Sequence, residues 1–261
     1  MIAIVLPGAD DRILSALHLQ TCKDFKVYLG GSDEEADASV EIRHGSWSQV
    51  EETFLCILEP GSLPDPQFVD RISRAVQRHP DFDVYHVNVT DAPAFPRKAS
   101  AKKLFKLALM QQIPAPLSSF IFRSSELRNN AVLRKDGSLD PLPTVFSCLR
   151  RRPLRNVWKG QLAWEAPAPS RDPVAVEKAI RERLALFRWT EDYFGDDDYP
   201  LSVSDQLHLF AREVVRLYPS FSEADLKEIM AGFQVSQGPV RKVRALSALK
   251  TELRERDREL Q

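Results

Sequence analysis

The acidic side chains best placed for chemistry are Glu59 and Asp140. Glu59 ends the apolar run 54–58, and the chain then breaks on Pro60-Gly61-Ser62 before Leu63-Pro64-Asp65. A carboxylate at the carboxyl end of a buried strand lies where ligands of open α/β sheets bind, and it can face a ribose or hold a hard cation. The dipole of a following helix would favour the same carboxylate without any ligand. Asp140 stands between Gly137-Ser138 and Pro141, a turn composition. Asp10, three residues after Pro7, can cap a helix or hydrogen-bond a ligand. Gly30-Gly31-Ser32 makes a tight turn or brings backbone close to a bound group. Arg123 and the run Arg150-Arg151-Arg152 suit a diphosphate or an anionic acceptor, or form a solvated basic face.

Other chemistries have no support. His44 and His86 lack zinc or triad spacing. Cys22, Cys56 and Cys148 form no C-x-x-C and have no neighbouring His, and Cys56 reads as a buried inert thiol. No G-x-G-x-x-G follows the first apolar run.

The elements that must position these residues alternate. Ile2–Leu6 is an unbroken apolar run, as in a strand buried on both faces, and Pro7-Gly8 ends it. A helical stripe (Ile13, Leu14, Leu17, Leu19) leads to a second strand, Phe25–Leu29, and then a weak third over 40–42. The strong strand 54–58 precedes a helix over 67–78, and 83–89 alternates like a strand. Strands separated by helices predict an α/β fold with a mostly parallel sheet. Residues 101–110 predict an amphipathic helix, 119–122 a strand, 145–149 a short helix or strand, and 157–164 a final strand. Ala166-Pro167-Ala168-Pro169 reads as a linker, which divides the chain into an α/β domain, 1–168, and a helical domain, 169–261. In the latter, Leu246, Leu249, Leu253 and Leu260 fall on a heptad seam that would serve self-association or a protein partner.

The 261 residues carry a net charge of −1, so no global field recruits nucleic acid or membrane. The apolar start lacks a basic flank and is too short for a signal peptide or a span. With an odd cysteine count, this predicts a cytoplasmic protein.

Order and spacing over residues 1–166 resemble a family 2 glycosyltransferase of the GT-A fold. The first strand ends in Pro7 shortly before Asp10; Gln20-Thr21-Cys22-Lys23-Asp24-Phe25 matches the family's Gln-Thr-x-x-Asp-Phe. Leu29-Gly30-Gly31-Ser32 stands at the strand ending in Asp-Asp-Gly-Ser, and Leu58-Glu59-Pro60-Gly61-Ser62-Leu63-Pro64 at Leu-Asp-x-Asp-Asp and Leu-x-Pro. Phe120-Ile121-Phe122-Arg123 and Leu139-Asp140 fall where the family has Phe-x-Arg and Glu-Asp.

The resemblance implies transfer of a sugar from a nucleotide diphosphate sugar to an acceptor by inverting displacement. Asp140 would be the base, with Pro7, Asp10, Gly30, Ser32, Glu59 and Arg123 around the donor. It also implies Mg²⁺ or Mn²⁺ against the diphosphate, with Glu59 a ligand. Gly30 stands where the family's base-contacting carboxylate would be, and Gly61 and Ser62 stand where its metal-binding acids would be. These departures open an alternative, a catalytically inactive GT-A-fold module that binds a glycan or protein partner.

Overall fold

The computed structural model describes residues 1–30, 42–90, 98–109, 115–134, 137–149, 154–165, 186 and 189. Ser32, Arg150, Arg151, Arg152 and the predicted C-terminal helices with their heptad seam lie outside them. The chain divides into two compact units, Met1–Pro167 and Ala168–Gln261.

The first unit is built on a sheet that curls around one apolar layer. Its strands are β1 (Ile2–Leu6), β2 (Phe25–Leu29), β3 (Ile42–His44), β4 (Phe54–Ile57), β5 (Ser62–Pro64), β6 (Val84–Val89), β7 (Lys98–Ala99), β8 (Phe120–Arg123) and β9 (Leu154–Trp164). They pair in the order β3-β2-β1-β4-β8-β6-β9-β5, with β7 on β9. Strands β1, β2, β3 and β4 run parallel; β8 runs against both β4 and β6, and β9 returns to the common direction beside β6. Every residue of β1 and β4 is buried, which explains their unbroken apolar sequences.

Helices α1 (Asp11–His18), α2 (Phe68–Arg78), α3 (Ala101–Leu109), α4 (Ser124–Asn130) and α5 (Pro141–Cys148) follow. Helix α1 buries Ile13 and Leu17; α2 buries Phe68, Val69 and Ile72. These side chains meet Ile4, Leu6, Val27, Cys56, Tyr85 and Ile121 in one core cluster. Each fully buried aliphatic or aromatic side chain there contributes about 2 kcal/mol by leaving water.

Gln20 shows what the Gln-Thr-x-x-Asp-Phe segment does physically. It is 2% exposed. Its Nε2 donates to the Asp65 carbonyl (2.8 Å) and the Ala16 carbonyl (3.2 Å), and its Oε1 accepts the Val69 N–H (3.0 Å). One amide thus closes the end of α1 and satisfies an orphan donor in the first turn of α2. Thr21 donates its N–H to the Pro66 carbonyl, and Phe25 enters the core.

Several elements differ from the sequence expectation. Ser62–Pro64 is not a direct lead into α2 but a short strand against β9, joined by the Glu165 N–H to Gly61 carbonyl bond. The polar segment after Arg123 contains α4, whose burial rests on Ser124 and Leu127 alone. The segment 145–149 belongs to a helix, α5, with Pro141 in its first turn, where the missing N–H costs nothing. β9 begins at Leu154, three residues before the predicted start at Val157.

Candidate functional site

Parallel register brings three strand ends together. Leu6 pairs with Leu29 and Val5 with Ile57, so Pro7, Gly30 and Leu58-Glu59 leave the sheet side by side. The Gly30 N–H donates to the Leu6 carbonyl (2.8 Å) and the Leu58 N–H to the Val5 carbonyl (2.9 Å), so the ladder extends past the strands. This is the crevice at the carboxyl ends of the strands.

Gly30 is there for space. A Cβ on it would stand 3.0 Å from the Pro7 carbonyl oxygen and 3.4 Å from that of Leu6, both backbone atoms. A carboxylate-bearing residue at this point requires the β1 exit to yield. Asp10 sits at the N-cap of α1, where its carboxylate accepts the N–H groups of Arg12 (2.9 Å) and Ile13 (3.2 Å). That is the cap geometry the sequence suggested as one of its two readings.

Glu59 belongs to a compact polar joint. Its Oε2 accepts the Leu117 N–H (2.9 Å) at the start of a 3₁₀ turn, Leu117–Ser119. Its own N–H donates to Ser118 Oγ (2.7 Å), and the buried Ser62 hydroxyl bonds that same Oγ at 2.7 Å. Burial pushes the Glu59 carboxyl up from its ordinary value, against the Leu117 and Ser118 amides, the charge of Arg134 and the Ser118 hydroxyl. Gly61 completes the joint with φ +83, and a Cβ on it would meet the Glu165 carbonyl oxygen at 3.0 Å. Both the left-handed backbone and the close approach call for glycine.

Asp140 occupies the N-cap position of α5. Its N–H donates to the Val132 carbonyl (2.8 Å), and Leu133 bridges Leu139, so it terminates a small hairpin. Arg134 lies in that hairpin, held by its N–H to the Ser138 carbonyl (2.8 Å), and its charge reaches Glu59. The Glu59 joint and the Asp140 hairpin therefore share one electrostatic neighbourhood.

Arg123 is not brought to these residues. Strand β8 is antiparallel to β4 and pairs Arg123 with Phe54, the first residue of β4, at the opposite end of the sheet. There its Nε meets Asp83 Oδ1 at 2.9 Å, its NH2 donates to the Pro80 carbonyl, and its guanidinium lies 4.8 Å over the Phe54 ring. It is a structural clamp.

The side chains at this turn make a poor donor set for a divalent metal. Glu59 is already an acceptor for a backbone amide, Ser62 is buried against Ser118, and Gly61 has no side chain. Among the described residues no three His, Cys, Asp or Glu side chains group as a metal would need. These residues do not fit a Mg²⁺ or Mn²⁺ site, which takes several free oxygen donors.

Ser118 and Arg134 carry much of this geometry and were not singled out in the sequence. No motif marks Ser118; only the register of β8 on β4 brings the segment just before it to Glu59.

No family profile matches the sequence, and no curated protein matches it. Solved structures do. S. aureus TarS, residues 1–349, superimposes with a TM-score of 0.54 at 10% identity, covering 100% of this chain and 92% of that one. Its complex with UDP gives the same values. The complex with UDP-GlcNAc gives a TM-score of 0.51 at 13% identity, covering 95% and 79%. The fold is shared with that protein. At such identities the likeness speaks for the fold alone, and the site's chemistry rests on this chain's own residues. No helix among the described residues is long and apolar enough to cross a membrane.

Proposed function

We propose that the unit Met1–Pro167 is a family 2-like glycosyltransferase domain that holds a nucleotide diphosphate sugar at the carboxyl ends of β1, β2 and β4. The convergence of Pro7, Gly30 and Glu59 on that crevice carries the reading, on a fold shared with a protein solved with UDP and UDP-GlcNAc. Asp140 is the base of an inverting displacement. Its carboxylate takes the proton of an acceptor hydroxyl as that oxygen bonds the anomeric carbon, and the sugar–diphosphate bond breaks with its electron pair leaving on the nucleotide diphosphate. The cation facing that leaving charge is Arg134, on the same hairpin as Asp140. The reading routes no step through a metal.

A second reading is favoured by a specific observation: the Glu59 carboxylate and the Ser62 hydroxyl are both engaged within the fold. On that reading the crevice binds a nucleotide sugar, glycan or protein partner without turnover.

Calorimetric titration of the full chain with UDP, GDP and UDP-GlcNAc, with and without Mn²⁺, tests the first reading. Binding that is indifferent to Mn²⁺ is expected, with nucleotide release abolished in Asp140→Asn while affinity persists. Binding without any release of nucleotide in the native chain favours the second reading. No heat with any nucleotide at millimolar concentration removes the first.

A further inference from the structure

A second concave surface lies along α2, away from the crevice. It is a groove of ≈ 870 Å³ between α2 and the beginning of β9, lined among others by Asp70, Arg71, Arg74, Arg78, His79 and Arg155. Its floor is at the amino end of the sheet: Arg155 pairs with Tyr85 near the start of β6, whereas Glu59 follows the end of β4.

The groove concentrates positive charge in a chain whose net charge is −1. Four guanidinium groups face a single lining carboxylate, Asp70. Arg71 and Arg74 lean on carboxylates of their own segment, Asp65 at 3.8 Å and Asp70 at 3.0 Å. Arg78 is exposed and makes no ion pair among the described residues. Arg155 is 7% exposed, with its NH2 2.8 Å from His79 Nε2 and its guanidinium 5.8 Å over the Phe82 ring. Lys98, paired with Arg155 across the β7–β9 ladder, adds its ammonium 5.8 Å over the same ring.

We infer that this groove is a binding site for a small oligophosphate, a soluble ligand carrying two or more phosphoryl groups. Arg71, Arg74 and Arg78 recur on one face of α2 over about 10 Å of helix, too far for a single phosphate to span. Guanidinium forks match phosphate oxygens two at a time. The volume falls within the range of small-molecule sites. Arg155, rigidly held on the floor, is the anchor; Arg74 and Arg78 on the helix close over the charge. The site is independent of the nucleotide crevice and of whether that crevice turns over.

The test is calorimetric titration of the full chain with sodium tripolyphosphate, with sodium sulfate at matched ionic strength as control. Saturable binding at one site is expected for tripolyphosphate, not for sulfate, and undiminished by saturating UDP. Arg74→Gln with Arg78→Gln, both exposed and separate from the core, is expected to weaken binding about tenfold or more, since one charge-assisted hydrogen bond alone is worth that much. Circular dichroism of the double variant should match the parent. Absence of saturable heat overturns the proposal. So does an affinity unchanged in the double variant, or displacement of tripolyphosphate by UDP, which would put the anion in the nucleotide crevice instead.

Discussion

The two ends of the same sheet spend their polar residues in opposite ways. At the carboxyl ends of β1 and β4, Glu59, Ser62 and Ser118 are turned inward and bonded to one another or to backbone. At the amino ends, Arg74 and Arg78 reach outward into a groove while Arg155 lines its floor. A polar group consumed by the fold stabilises it and has little left for a ligand. A charged group held at the surface does little for stability and is free to bind. The difference explains why Glu59, Gly61 and Ser62 make a poor donor set for a metal, whereas Arg74 and Arg78 stay exposed in the groove.

This contrast can be broken most forcefully at Gly61. Gly61→Asp, which places an acid in this turn, is expected to cost about 3 kcal/mol by forcing a side chain into left-handed backbone beside the Glu165 carbonyl. Urea unfolding measures this; an unchanged midpoint together with new Mn²⁺ affinity would reverse the account of that end. Ser118→Ala comes next. It strands the Glu59 N–H and the Ser62 hydroxyl, and a loss of about 2 kcal/mol is expected in the same measurement.

His86 lies on β6, in the middle of the sheet between the two ends. Burial pushes it down to about 3, with a hydrogen bond to Asn156 working the other way. Between its ordinary 6.5 and that value the unfolded chain binds a proton that the folded chain refuses, so stability falls as pH falls. The slope expected is about 1.4 kcal/mol per pH unit, and His86→Gln should flatten it. The smallest effect belongs to the basic groove: Arg74→Gln and Arg78→Gln should each shift stability by less than about 0.5 kcal/mol. A larger loss would make those arginines structural and erase the contrast.

Much of the fold was legible because burial writes itself into sequence. β1 and β4 are covered on both faces, and their uninterrupted apolar runs say so. The amphipathic stripes of α1 and α2 follow for the same reason. β5 was not legible: three residues including Pro64 form a strand only because Gly61 and Glu165 meet from distant parts of the chain. α4 was hidden by a polar surface with two inward residues. The candidate site was legible in part. Chain order placed Pro7, Gly30 and Glu59 together, since parallel neighbours end at the same edge. Order also suggested Arg123, and failed there, because the direction of β8 is a property of pairing and not of composition. Ser118 gave no signal, its role depending wholly on register.

The Gln20 amide has one more consequence. By bonding the last turn of α1, the Asp65 carbonyl and the Val69 N–H at once, it joins the first strand–helix unit to the second through a single buried group. The start of α2 cannot fray while α1 holds, nor α1 detach while α2 is docked. Amide exchange at the end of α1 and at the start of α2 is therefore expected to slow or quicken together, as in one cooperative unit.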